Sequence, residues 1–222
     1  ISPSGTGNIY MNATPRVIYG WAKAGTFFKA FTHIDKASGI PRPALWLTFG
    51  LSIFWTLPFP SWEQLISVVS AALVLSYAIA PVTAAGLRRN APDLPRPFRV
   101  RAFGIIGPIS FMISALIVYW SGWNTLSWLL GLQIVMFVVY VMCKGKVPEH
   151  TVSLAQQVKS SLWLIVFYAL IILFSWLGSF GGLNVIGHPW DTVLVAAMSL
   201  GIYYWGARSC LPQANFSGDE EE

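Results

Sequence analysis

Residues 65–89 read LISVVSAALVLSYAIAPVTAAGLRR: twenty-three residues without a formal charge, then two adjacent arginines. As a helix rising ~1.5 Å per residue such a run is about 35 Å long, enough to cross the ~30 Å hydrocarbon core of a bilayer. Working outward, comparable charge-poor runs recur at 43–60, 103–121, 125–143, 160–180 and 190–209, with 62–87 as the run quoted. The whole chain is 55% hydrophobic and only 10% charged, which separates it from soluble domains of the same length. The expected class is an all-α integral membrane protein with six apolar spans. The opening segment, 4–24, has the length of a seventh span without its apolarity.

The net charge of +5 would suit a nucleic-acid binder if the basic residues shared a soluble surface. They fall instead in alternate loops. Lys23, Lys29, Lys36 and Arg42 follow the first segment; Arg88, Arg89, Arg96, Arg99 and Arg101 follow the third; Lys144, Lys146 and Lys159 follow the fifth; Arg208 ends the last. The other loops hold no Lys or Arg, so 13 of the 14 basic residues lie on one side, which the positive-inside rule makes the cytoplasm. Orienting helices accounts for this pattern, and no nucleic-acid partner is expected. The expected location is the cell membrane, multi-pass, with the start of the chain outside and the acidic tail within 210–222 inside. Ile1 is not an initiator Met and no secretory signal opens the chain, so a piece of a longer protein is expected. Cys143 and Cys210 fall at cytoplasmic helix ends and are read as packing residues, not as a disulfide or metal site.

Pro and Gly punctuate the spans: Gly39 to Pro43 before the second, Pro58 to Ser61 before the third, Asn90 to Pro97 before the fourth. Ser61 with Gln64 three residues on has the form of a capping box, and Glu63 in that first turn suits the helix dipole. Residues 26–38 interleave Phe27, Phe28, Phe31 and Ile34 with Lys29, His33, Asp35 and Lys36, the pattern of a short helix lying at the cytoplasmic surface. Tryptophans such as Trp46, Trp62, Trp120 and Trp190 sit near the ends of spans, where an indole bridges lipid and water.

The stretch SGTGNIYMNATPR, residues 4–16, is the polar exception. On a helical wheel Ser4, Asn8, Asn12 and Arg16 form one stripe, while Thr6, Tyr10 and Thr14 form another on roughly the opposite side. Neither stripe can face lipid: unpartnered amides cost several kcal/mol in hydrocarbon, and Arg16 would cost at least ~2.5 kcal/mol near the centre. Such a helix is expected to be enclosed by other helices or to line a watery cavity. Packing hydrogen bonds account for Asn12, Thr14 and Arg16. Thr6, Asn8 and Tyr10, nearer mid-membrane, are the candidate substrate-binding residues. Ser70 and Tyr77, seven apart on the third helix, are weaker candidates for lining a pathway, and Pro81 is a candidate kink.

No catalytic set is legible. His33, His150 and His188 lie in separate loops, no Ser, His and Asp share a membrane face, and Gly5-Thr6-Gly7-Asn8 lacks the Lys of a phosphate loop. No enzyme activity, metal or cofactor is expected.

Two strings carry a family resemblance. RVIYGWAKAGTFFKAFTHIDKASGIPRPALWL, residues 16–47, resembles the end of the eighth helix, the interfacial helix and the ninth-helix entry of permeases in the amino acid–polyamine–organocation superfamily. LRRNAPDLPRPFRV, residues 87–100, resembles the cytoplasmic loop between that family's tenth and eleventh helices, although Arg101-Ala102 replace a frequent Pro-Gly. The likeness covers about residues 4–143, and 160–209 would add two helices, as in bacterial members resembling aspartate–proton symporters.

The resemblance implies a C-terminal fragment of an inverted-repeat, broken-helix transporter fold with substrate at mid-membrane. Its implied function is secondary active transport of amino acids, proton-coupled, by alternating access. Counting back from Gly25 as the family's glycine after helix eight, it places Thr6 at the ion or substrate region and Tyr10 at a substrate-facing position one turn on. The implied partners are an amino-acid substrate, a proton or cation, the lipid bilayer and N-terminal helices of the same protein. The competing readings are a seven-helix receptor-like protein and an accessory membrane subunit. A retinal protein is disfavoured because 192–207 contains no lysine.

Overall fold

The computed structural model describes residues 2–25, 27–35, 38–57, 61–93, 95–96, 98–143 and 154–210. The acidic tail, Lys36, Lys144, Lys146, His150 and the Pro58 to Pro60 punctuation lie outside them. Among the described residues there are seven α-helices and no strand: α1 Ser2–Lys23, α2 Arg42–Thr56, α3 Trp62–Asn90, α4 Phe103–Trp120, α5 Gly122–Cys143, α6 Leu154–Leu177 and α7 Trp190–Ser209. Each falls on one of the seven expected segments.

Three helices are both long and apolar enough to cross a membrane among the described residues: α3, α4 and the Val158–Leu177 stretch of α6. Of the six apolar spans expected, these three are supported by length and composition among the described residues. α2 has 15 described residues, about 22 Å, and α7 is diluted by Asp191, Ser199 and Arg208. The outer surface still has a lipid-facing character. On α4, Ile105, Ile109, Ile113 and Ile117 recur every four residues and are all exposed, an apolar stripe that a soluble protein would bury.

The chain divides into two compact units, residues Ile1–Leu65 with Ile134–Thr151, and residues Ile66–Gln133 with Val152–Glu222.

In the first unit α1 packs on α2. α1 buries Pro15, Ile18 and Ala22, one stripe at helical spacing, and α2 buries Ala44 and Thr48. Thr48 keeps its hydroxyl satisfied within the helix by donating to the Ala44 carbonyl at 2.9 Å. Gly25, at φ +71°, stops α1 in the left-handed conformation that glycine adopts without a Cβ penalty.

The surface helix expected over 26–38 is reduced to one 3-10 turn, Lys29–Thr32. Local polar groups outcompete helix propagation there. Thr32 Oγ1 donates to the Lys29 carbonyl, and Asp35 accepts from the Ser38 backbone N–H at 3.2 Å and the Ser38 hydroxyl at 2.6 Å. Phe27, Phe28 and Phe31 form a ring cluster with centroids 5.1 to 6.5 Å apart.

In the second unit α7 packs on both α4 and α6. Each helix contributes a stripe at helical spacing: Val68, Ala71, Leu75, Ala78, Val82 and Gly86 from α3, Phe111, Ala115 and Val118 from α4, Trp163, Phe167 and Ile171 from α6, Val195, Ile202 and Tyr203 from α7. Phe111 is the hub, with its ring 5.1 Å from Phe167, 6.0 Å from Tyr203 and 6.4 Å from Trp163. Gly206 permits the close approach. A Cβ there would stand 2.8 Å from both the Trp163 ring and a Val82 methyl. At the start of α3, within the residues of the first unit, the expected capping box is present on its N-cap side, with the Gln64 N–H donating to Ser61 Oγ at 3.3 Å. Cys210 is a free thiol whose Sγ lies 3.5 Å from the Gly206 carbonyl, and burial pushes its pKa up.

Candidate functional site

The polar stretch of α1 forms the helix expected of it, and residues 4–10 are all exposed in this chain. Two polar flanks border the packed stripe of Pro15, Ile18 and Ala22. On one, Asn12 Nδ2 donates to the Asn8 carbonyl at 2.9 Å and to Asn8 Oδ1 at 3.3 Å. This pair, with Ile9, Ala13 and Arg16, lines an open recess along the helix. Thr6 and Tyr10 occupy the other flank, Tyr10 with 55% of its surface exposed. The helix thus groups Asn8 with Asn12 and Arg16, and Thr6 with Tyr10, without bringing the two groups to one point. Among the described residues α2 covers only the stripe between the flanks.

Ser70 and Tyr77 are both exposed on α3, roughly opposite its packed stripe. Two further hydroxyls of α3 are spent locally: Ser76 donates to the Leu73 carbonyl, and Thr83 to those of Ile79 and Ala80. Among the described residues no cluster of His, Cys, Asp and Glu could hold a metal ion.

The structure also reveals a polar centre that the sequence reading passed over. Asp191, in the first turn of α7, is fully buried. Its Oδ2 accepts from the Tyr119 hydroxyl of α4 at 2.7 Å, from the Ser179 backbone N–H at 3.2 Å and from the Ser179 hydroxyl. Its Oδ1 accepts from the Thr192 backbone N–H at 2.6 Å and the Thr192 hydroxyl at 3.2 Å, with His188 Nδ1 3.7 Å away. The loop between α6 and α7 is folded to deliver these donors. Asn184 N–H bonds the Gly178 carbonyl, those of Val185 and Ile186 bond Leu177, and Trp123 N–H bonds Phe180. With both oxygens occupied by five donors, this carboxylate is a junction joining α4, the loop and α7. It is not presented to a ligand.

A second carboxylate, Asp35, lies outside the spanning segments. The Ser38 hydroxyl hydrogen bond holds its pKa below the usual carboxylate value, with further help from the Arg42 guanidinium 2.9 Å away.

A sequence model of the family described as amino acid permease matches residues 1–140, from α1 into α5. The chain belongs to the amino acid permease family. Over 221 residues, 99% of its length, this permease chain is 55% identical to the aspartate-proton symporter of Bacillus subtilis (strain 168), of which it covers 42%. Over 211 residues it is 33% identical to the glutamate/serine transporter AimA of the same organism, covering 39% of that protein. The permease chain therefore spans about two fifths of the length of these relatives. No solved structure matches it. α6 and α7 lie beyond the family match but within both relatives' alignments, so the Asp191 junction fastens to α4 a helix pair that the family model does not include. The relatives are transporters rather than enzymes, in keeping with the lack of any catalytic grouping legible in the sequence.

Proposed function

We propose that this permease chain is the C-terminal part of a secondary transporter that carries acidic amino acids across the cell membrane with protons, by alternating access. The observation that carries the reading is 55% identity to an aspartate-proton symporter, sustained over 99% of the chain. The second relative is named for glutamate as well as serine, so an acidic amino acid is the substrate class shared by the two.

The geometry of α1 supports a place for the substrate. A spanning helix with polar groups on both flanks is stable in a bilayer only against protein or water, and α2 leaves both flanks uncovered. The further length of the relatives is the natural cover. Thr6, Asn8 and Tyr10 would then face the transport path, Thr6 offering a hydroxyl and Tyr10 a bulky wall. Ser70 and Tyr77 are secondary candidates on α3. The basic loops face the cytoplasm in this reading, so α1 runs from outside to inside and the chain ends inside.

The test is uptake of labelled aspartate by cells lacking acidic amino-acid uptake, expressing the complete reading frame that encodes this chain. Uptake that collapses with a protonophore and is competed by glutamate supports the proposal. Robust aspartate uptake indifferent to the proton gradient would remove proton coupling, and absence of uptake of any amino acid by a well-inserted protein would remove the transport reading.

A further inference from the structure

The end of α3 and the loop to α4 carry five arginines, Arg88 and Arg89 in the last turn of the helix and Arg96, Arg99 and Arg101 beyond it, against one acidic residue, Asp93. The structure sorts them into two groups. Arg96 is consumed in closing the end of α3: its Nη2 donates to the carbonyls of Ala91 at 2.6 Å and Leu87 at 3.1 Å, and its Nη1 to that of Pro92 at 3.1 Å. Arg88 is half-buried, reaching the Val100 carbonyl at 3.4 Å with its guanidinium 4.1 Å from the Phe103 ring centroid. These two tie the returning strand of the loop against the last turn of α3. Val100 is half-buried, and its neighbours Arg99 and Arg101 are exposed, as is Arg89.

None of the exposed three belongs to an ion pair among the described residues. Phe98, beside them, is 80% exposed. Asn90 Nδ2 donates to the Cys210 carbonyl at 3.2 Å, which brings the end of α7 and its exposed Arg208 to the same end of the unit.

Position in the bilayer follows from the helices. α3 and α4 are two of the three helices long and apolar enough to cross the membrane, so the short loop that joins them emerges at headgroup level. Orienting the helices requires basic residues there but not that they stand exposed, with no ion pair among the described residues, on a braced platform beside an exposed aromatic ring. We infer that Arg89, Arg99 and Arg101, with Phe98, form a docking surface for an anionic phospholipid. The guanidinium groups take the phosphate oxygens, and the Phe98 ring enters the acyl boundary.

The test uses the full chain in detergent, titrated with phosphatidylglycerol or phosphatidylcholine and observed by native mass spectrometry. The wild type is expected to retain phosphatidylglycerol in preference to phosphatidylcholine. An Arg99→Gln/Arg101→Gln variant is expected to lose that preference by about twenty-fivefold, each exposed arginine near a charged surface being worth about fivefold. Lys23→Gln, an exposed cation of the other unit, should change nothing. Circular dichroism verifies that the double variant keeps its helices, since neither side chain is part of an ion pair among the described residues. A wild type that takes both lipids equally overturns the proposal, as does a double variant that keeps the preference. A preference that appears only after deletion of residues 211–222 would likewise overturn it, naming the acidic tail as the occupant.

Discussion

Removing the Asp191 carboxylate is expected to loosen the attachment of α7 to α4. In Asp191→Ala five donors lose their acceptor together: the fully buried Tyr119 hydroxyl, and the backbone N–H and hydroxyl groups of half-buried Ser179 and Thr192. A buried donor left unsatisfied costs about 1–3 kcal/mol, although hydrogen bonds in membrane proteins average nearer ~0.6 kcal/mol. Five stranded donors, at about 0.6–1 kcal/mol each because four of them are only half-buried, therefore predict a loss of roughly 3–5 kcal/mol. Tyr119→Phe removes one donor and leaves Asp191 with the other four, so about 0.6–2 kcal/mol is expected. The pair should not add: once Tyr119 has no hydroxyl, Asp191→Ala strands one donor fewer, and the double variant should cost less than the sum of the singles by about 0.6–2 kcal/mol. The assay is equilibrium unfolding of the micelle-embedded chain in a denaturing detergent, followed by tryptophan fluorescence. If Asp191→Ala costs less than about 0.5 kcal/mol, or the two substitutions add, the junction does not hold the helices as described.

Three further outcomes follow from particular contacts. Gly206→Val should force the Trp163 ring or Val82 aside and destabilise by about 1–3 kcal/mol, read as a lowered thermal midpoint, whereas Gly104→Ala, with open space around it, should be nearly neutral. Because the folded-state pKa of Asp35 is depressed, its contribution to stability is present above the unfolded value of about 3.9 and lost as pH falls through the folded one. Ser38→Ala removes the first cause of that depression, so the stability change over the acid range should shrink in a pH-dependent unfolding series. Cys210, raised in pKa by burial, should react with a maleimide at neutral pH far more slowly than a cysteine introduced at exposed Arg208.

Helix positions were readable because hydrophobic runs, Pro and Gly act locally. The capping residues Ser61 and Gln64, and the glycine after Lys23, mark ends that the structure reproduces. Over 26–38 the described residues form only the turn Lys29–Thr32. The aromatic spacing there suggested a surface helix, but the Asp35 side chain had nearer partners in Ser38 and Arg42. Asp191 was illegible because an acidic residue in a first helical turn is ordinary, and Tyr119, its key partner, lies 72 residues away. Nothing in either neighbourhood announces the pairing. The polarity of α1 was plain in Asn8, Asn12, Thr6 and Tyr10. What covers those flanks depends on tertiary packing that α2 alone does not supply.

The central proposal, that α1 forms part of a transport path, is tested most directly by aspartate uptake through the complete protein carrying Thr6→Val or Tyr10→Ala. Ile113→Leu on the exposed stripe of α4 serves as the control. The account predicts that each α1 variant inserts at wild-type levels yet raises KM or lowers the maximal rate by on the order of tenfold, the scale of one lost substrate contact of ~1.4 kcal/mol, while the control is unchanged. Wild-type uptake kinetics in both α1 variants would contradict it.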